Sequence, residues 1–378
     1  MNKPIVYLSI DFGTSNSCAY SSHNGRICNV TSSSSKSHIP SSIFYRNENE
    51  AVIGDAAEIL HGNQTKAFVR KVKRIIGLDC SQECVKKEME DSTVPIEQFD
   101  NYPRYVLTVN GNTFFRTPVE IASELFKYIL KKVDSENAYD IHACITVPAT
   151  FFVSQTEAVK KAAVLAGLKN VHIVAEPVAA VVGYSLMASS EQDLYLVYDL
   201  GGGTFDATIV KRVKQVYSVM AKSGDPYMGG CDIDSIVYSL LLDYLRGVLD
   251  SDQYDRYFAK LSSRPGYRLK LLDTAREAKE SLSSLEEVTV PIEMRKQTIY
   301  CMITRSELNK RVSPLITKSI QIIKEMMKKI SVSEEMLTTV IMVGGPTQYP
   351  YFAECLQKEF GDIIRRDINV ETVVAQGA

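Results

Sequence analysis

One strand-and-turn pattern occurs twice in this chain, and that repeat limits its fold more than any other feature. Tyr7–Gly13 reads YLSIDFG and Tyr195–Gly201 reads YLVYDLG, which places Asp11 and Asp199 188 residues apart in a chain of 378. Each copy is an apolar strand ending in an aspartate and a glycine turn. A second β-like run follows each one, Ser17–Tyr20 and Thr204–Val210. The period is far too long for a stacked-repeat solenoid. It predicts two similar halves, each opening with a strand, a tight turn and a returning strand. At 45% hydrophobic and 23% charged, the chain has the composition of an ordinary globular protein, and disorder over most of its length is excluded.

Strand-like and helix-like stretches alternate along the rest, which argues for α/β layers. Thr117-Pro118-Val119-Glu120 is a capping box with proline at the first helical position. Ile121, Leu125, Ile129 and Val133 then form one apolar helix face. Ala143–Val147 and Val171–Ala175 read as strands. Ser154–Glu157 reads as a second capping box, Gly167 as a helix stop, and Pro177 as the opening of a helix over 177–187. Further on, Asp232 is expected to cap a helix through Leu245, and Arg268–Ser284 to form another. Thr304–Glu307 is a third capping box, with Pro314 expected to separate two helices. Thr339–Val343 is an apolar strand, and a helix is expected from Pro350 to Phe360. Residues 34–116 and 212–303 read as less regular insertions, and Ser32–Ser35 as a solvated loop.

The balance of 43 Lys+Arg against 45 Asp+Glu gives a net charge of −2, unlike a general nucleic-acid or anionic-membrane binder. Eight cysteines with no Cys-x-x-Cys pair suggest plain thiols in a reducing compartment. No apolar run approaches the ~18 residues that span a bilayer, and Met1–Pro4 leads straight into a strand with no leader pattern. These features predict a cytoplasmic or nuclear protein.

The chemistry concentrates at strand ends. Asp199–Asp206 (DLGGGTFD) holds three consecutive glycines between two acids. Such a turn aims successive N–H groups at an anion. The flanking acids would repel a bare phosphate, so the combination calls for a divalent cation between acid and phosphate. Asp11–Ser17 (DFGTSNS) is the matching copy. Two such turns face to face would clamp a polyphosphate. Glu176 stands between a strand and a helix, where α/β ligand sites open. Gly344-Gly345 follows another strand. Arg70, Lys71, Lys73 and Arg74 form a basic cluster, of which one member could reach a terminal phosphate. No Ser-His-Asp, Cys-His or H-E-x-x-H pattern stands out.

At these residues the chain resembles the nucleotide-binding domain of the seventy-kilodalton heat-shock chaperones. The anchors are IDFGTSNSC at Ile10–Cys18, KRIIG at Lys73–Gly77, ITVPA at Ile145–Ala149, AVLAGL at Ala163–Leu168 and EPVAA at Glu176–Ala180. They continue with YDLGGGTFD at Tyr198–Asp206, GGCDID at Gly229–Asp234 and VGGPT at Val343–Thr347. The resemblance implies the actin-like ATPase fold, a ribonuclease-H-like duplication. Its two lobes would span residues 1–188 and 189–378, with outer subdomains at about 40–116 and 230–303. It implies a slow ATPase converting ATP and water to ADP and phosphate, with magnesium and potassium as ions. Asp11, Glu176 and Asp199 match the acids that hold magnesium, largely through water. Lys73 matches the lysine that reaches the γ-phosphate. Thr204 and Asp206 match groups around the attacking water, and Pro148 matches a relay proline. Gly13, Thr14, Ser15, Asn16, Gly201, Gly202, Gly203 and Thr204 match phosphate-loop contacts. Lys279, Glu280, Ser283, Gly344, Gly345, Gln348 and Glu371 fall around the purine.

The departures lie on the purine and relay sides. Gln348 replaces an arginine that packs on adenine, Glu280 stands where many members carry arginine, and Arg276 replaces a glutamate. Arg276 lies four residues before Glu280, a spacing that permits an ion pair. His38–Ser41 replaces a Thr-Thr-Pro-Ser loop, and Thr156 a relay arginine. The resemblance implies J-domain co-chaperones and a nucleotide-exchange factor as partners. It also implies that a peptide-binding domain would lie beyond Ala378, outside this chain. A small-molecule kinase, an actin-like filament former and a nucleotide-binding scaffold without turnover share the superfold and are the rival readings.

Overall fold

The computed structural model describes residues 3–33, 36–62, 64–185, 192–294, 297–366 and 368–378. Ser34 and Ser35 of the serine run, and residues 186–187 of the helix expected over 177–187, lie outside them.

The duplication is written into two sheets of the same plan. The first contains β1 (Ile5–Asp11), β2 (Asn16–His23), β3 (Arg26–Asn29), β4 (Asp140–Val147) and β5 (Asn170–Ala175), in the order β3-β2-β1-β4-β5. The second contains β6 (Gln192–Leu200), β7 (Phe205–Val213), β8 (Val216–Asp225), β9 (Thr339–Val343) and β10 (Ile364–Arg365), in the order β8-β7-β6-β9-β10. In each, a three-stranded antiparallel meander is extended by two parallel strands. Parallel pairing requires a crossover, and helices supply it at matching places. Helix α1 (Pro118–Val133) precedes β4, α2 (Val153–Leu165) joins β4 to β5, and α3 (Glu176–Ser185) follows β5. Two helices of the larger insertion come next, α4 (Gly230–Val248) and α5 (Pro265–Ser281). Then α6 (Arg305–Lys329), α7 (Pro350–Phe360) and α8 (Val373–Gly377) repeat the plan of the first three around β9 and β10.

Local chemistry accounts for most boundaries. The Thr117 hydroxyl accepts from Glu120 N–H at 3.3 Å while the Glu120 carboxylate accepts from Thr117 N–H at 2.7 Å. Thr304 and Glu307 do the same for α6. Gly167 ends the second helix at φ +102. Asp232 caps α4 from its third position, accepting from Gly229 N–H at 2.8 Å. Three expectations need correction. The second capping box does not form: the helix starts after Phe152, which has no side-chain acceptor, so only the reciprocal half is made, with Gln155 Oε1 accepting from Phe152 N–H at 3.2 Å and Ser154 inside the helix. Pro314 does not divide α6, which runs unbroken through it. An interior proline costs about 3 kcal/mol, but Leu308, Val312, Ile316 and Ile323 are all buried along one face, each contributing about 1.5–3 kcal/mol. The insertions are also regular. Residues 43–116 hold two three-stranded antiparallel sheets, and 230–304 hold helices and the hairpin Glu287–Glu293 with Thr298–Thr304. Their short strands alternate too weakly in sequence to stand out.

One buried cluster gathers residues from Val6 to Leu168, joined by Leu269, and another gathers residues from Leu196 to Phe360. A third lies under α3 and α8, where Ala179, Ala180, Val373 and Val374 cover β6 and β9. These two helices touch through glycines. A Cβ on Gly183 would lie 2.5 Å from Val373 O, and one on Gly377 1.9 Å from Ala179 O. Gly183→Val should therefore destabilise by ~1–3 kcal/mol through overpacking. Gly247→Ala, where nothing lies within 4 Å of the new methyl in α4, should stabilise by ~0.5–1 kcal/mol. Urea unfolding of both variants checks the pair; equal shifts would contradict this helix contact.

Candidate functional site

The carboxyl ends of β1 and β6 bring the two glycine turns together. A Cβ on Gly202 would stand 2.1 Å from Ser15 Oγ, and one on Gly203 3.1 Å from Thr14 Cγ2. The first turn is braced from behind. Ser41 Oγ donates to Gly13 C=O at 2.8 Å, and Gly13 N–H donates to Ser17 Oγ at 3.2 Å. Asn16 begins β2, paired with Pro40. The second turn is closed by Gly201 N–H donating to Thr204 C=O at 2.9 Å. It is tied to α4 by Gly230 and Cys231 N–H groups, which donate to the Gly201 and Gly202 carbonyls at 2.9 and 2.8 Å. Arg74 Nη2 donates to Gly203 C=O at 2.9 Å and lies 3.6 Å from Asp232. Two members of the basic cluster thus serve separate ends: Arg74 holds the second turn, while Arg70 pairs with Glu58 and, at 2.8 Å, with Asp273.

Lys73 lies at the centre. Its ammonium is 2.7 Å from Glu176 Oε1, and Lys73, Glu176 and Asp206 are only 6%, 7% and 4% exposed. Burial works to lower the Lys73 pKa, but the carboxylates of Glu176, Asp11 and Asp199 outweigh it, and the net direction is up. The acids respond oppositely. Burial, then Glu176, pushes Asp11 up to about 7, against Lys73 and a 3.0 Å hydrogen bond donated by Thr146. Burial, then the neighbouring carboxylates Glu176, Asp206 and Asp11, holds Asp199 well above its usual range. Burial moves Asp206 up to about 6, opposed first by the hydroxyl of Thr150. Four acids crowd a single ammonium, an excess that a bound cation would offset. Among the described residues no three His, Cys, Asp or Glu side chains converge to ligate a metal directly.

Of the residues expected around a purine, Gln348 and Glu371 come together, while Lys279, Glu280 and Ser283 do not join them. Gly344, at φ +89, turns so tightly that a Cβ would lie 2.1 Å from Leu200 O. Gln348 Nε2 donates to Glu371 Oε1 at 3.0 Å; Ser37 Oγ reaches Glu371 Oε2 at 3.3 Å, and His38 Nδ1 lies 3.2 Å from it. The His38 contact, followed by burial acting the other way, leaves the Glu371 carboxyl below its ordinary range. Lys279 is engaged elsewhere, 2.7 Å from Asp234. The spacing-based pairing of Arg276 with Glu280 is not made: Arg276 lies 3.7 Å from Asp273 instead. Glu280 is exposed, and among the described residues neither it nor Ser283 makes a side-chain polar contact with the rest of the set. Pro148 is buried at the end of β4, and Thr156 donates only to Phe152 C=O at 3.2 Å.

Sequence reasoning missed Thr146, Thr150, Ser41 and Asp234 as site members. Ser41 stood in a loop noted only for its drift, Thr146 and Asp234 stood in the ITVPA and GGCDID anchors with no role given to them, and Thr150 stood in no motif.

The acids make a titration prediction. The Asp11 carboxyl goes from 3.8 unfolded to about 7 folded, so between those values the native state holds the proton more tightly. Stability without ligand then falls as pH rises from about 4 to about 7, with Asp206 adding to the loss up to about 6. Asp11→Asn should flatten that slope and raise the thermal midpoint at pH 7.5. Identical midpoint-against-pH curves for both proteins would sink it.

The family described as Hsp70 protein matches residues 7–378. A chaperone protein HscA homolog of Aromatoleum aromaticum is 31% identical over 380 residues. Another from Azoarcus sp. is 29% identical over 381, and the chaperone protein HscA of Buchnera aphidicola is 34% identical over 378. Each alignment covers 100% of this chain but 58% of the relative, so the chain spans well under two thirds of their length. Among the described residues no helix is long and apolar enough to cross a membrane.

Proposed function

The chain belongs to the Hsp70 protein family, with its actin-like ATPase fold, and on that premise we propose that it binds ATP between the two glycine turns and hydrolyses it slowly. The observation that carries this reading is the set of Asp11, Glu176, Asp199 and Asp206 around the ammonium of Lys73. The backbone N–H groups of Thr14–Ser15 and Gly202–Thr204 cradle the β- and γ-phosphates. Lys73 exchanges part of its contact with Glu176 for a γ-phosphate oxygen and offsets charge developing there. Thr204 and Asp206, the latter oriented by Thr150, position the attacking water. Magnesium, held through water by Asp11, Glu176 and Asp199, would neutralise the phosphate oxygens. Catalysis is positioning and charge stabilisation, with no covalent intermediate on the protein.

We further assign two lobes meeting near residue 188. Two large buried clusters support the division, one drawn from residues 6–168 with Leu269 added and the other from residues 196–360. A nucleotide-exchange factor fits the outer part of the second lobe, about 230–303, where Phe258, Tyr300 and Met302 are 47%, 64% and 50% exposed. J-domain co-chaperones are the other proposed partner. The proposed compartment is the cytoplasm.

Lys73→Ala is expected to lower single-turnover phosphate release by roughly 10²–10³-fold while ADP still binds. Glu176 then loses its buried partner, so the thermal midpoint is followed alongside. Unchanged phosphate release from a folded variant would refute the assignment. A wild-type chain that binds ATP without releasing phosphate would make it a nucleotide-binding scaffold.

A further inference from the structure

We infer that Arg366 supplies the flat cation that stacks on the nucleobase, the role that Gln348 leaves without charge. This rests on the nucleotide reading above. The carboxyl ends of β6, β9 and β10 lie side by side, since β9 pairs in parallel with both neighbours, Asp199 opposite Val343 and Arg365 opposite Ile341. Each end carries its own group: the glycine turn after β6, the Gly344–Gln348 turn after β9, and Arg366 after β10. Ligands of open α/β sheets lie across such strand ends. With its phosphates on the first, a nucleotide extends across the second toward the third.

Toward α4 and α5 the turn is closely packed and offers no free cation among the described residues. A Cβ on Gly230 would lie 2.9 Å from Pro346 Cγ, so the Gly344–Gln348 turn packs straight onto the start of α4. Lys279 beyond it is committed to Asp234 at 2.7 Å, and Glu280 would bring an anion toward the ring. Toward β10 there is room. A cavity of about 410 Å³ opens between Gln348, Asn369, Glu371 and Arg366, within the ~300–1,000 Å³ usual for ligand pockets.

Arg366 is available there. One of its N–H groups, on Nη2, donates to Gln348 C=O at 3.3 Å, which lays the guanidinium against the turn that lacks an arginine. The acid on the same cavity, Glu371, is taken by Gln348, Ser37 and His38. Among the described residues no carboxylate lies within ion-pair distance of Arg366. A planar guanidinium beside a cavity suits an aromatic ring, which attracts it by dispersion and by its quadrupole. The Asn369 and Gln348 amides flank the same space and can read the ring's edge.

The test is calorimetry of the 378-residue chain with magnesium ADP and, separately, magnesium tripolyphosphate, which has phosphates and no base. Arg366→Ala should weaken ADP binding roughly three- to thirtyfold and leave tripolyphosphate binding unchanged. Arg366→Lys, which keeps the charge but not the plane, should recover only part. The inference is overturned if Arg366→Ala binds ADP as wild type does, or loses both ligands equally. It is also overturned if wild type binds ADP no tighter than tripolyphosphate. Failure of the wild type to bind either ligand overturns the nucleotide reading itself, a different result from any of these.

Discussion

Four carboxylates share one buried ammonium where the two sheets meet, and the surrounding architecture follows from keeping that arrangement tolerable. Burial first, and behind it the like charge of Glu176, raises the pKa values of Asp11, Asp199 and Asp206. Lys73 can reach them only because the short turn Val72–Arg74 enters the cleft from the first insertion, with Lys71 ahead of it in the left-handed region at φ +59. The same turn sends Arg74 to Gly203 C=O on the other half. The insertion that carries these cations therefore does more than decorate the first sheet. It supplies the counter-charge without which two aspartate-tipped strands would repel.

That requirement also explains why so much was legible in the sequence. An aspartate at the end of a strand, then a glycine turn, is a local signal, and its repetition at Asp11 and Asp199 implied two equivalent sheets with no knowledge of pairing. The five strands in line agree in order between the two sheets, down to the helices that follow β5 and β10, and only the short pairing of Ile39–Pro40 with β2 has no counterpart among the described residues. Turns and caps were readable for the same reason: Thr117, Thr304 and Gly167 act within four residues of themselves. Pro314 misled because its local penalty is real, and only the buried length of α6 on either side of it overrides that penalty. Thr146 and Thr150 were invisible because their partners, Asp11 and Asp206, lie 135 and 56 residues away in sequence.

The purine side was the least legible, because spacing along a helix names candidate pairs and cannot exclude a better partner from elsewhere. Arg276 and Glu280 have the right separation on α5, yet Arg276 turns back to Asp273. Asp273 is already fixed by Arg70, which reaches it from the first insertion and also holds Glu58. Leu269, one turn earlier on the same helix, is buried in the core of the first half, the one contribution the second half makes to it among the described residues. So α5 meets the first half across the mouth of the cleft through an apolar contact and an ion-pair chain. Partly buried chains of this kind leave little freedom for the groups inside them, since breaking one member leaves a charge poorly solvated. Asp273 on α5 is thus committed to holding the two halves together, and Glu280, outside that chain, remains in solvent. On the proposed nucleotide reading a base would find its cation away from α5: on the far side of the Gly344–Gln348 turn the guanidinium of Arg366 stands beside an open cavity, with no carboxylate in ion-pair reach among the described residues.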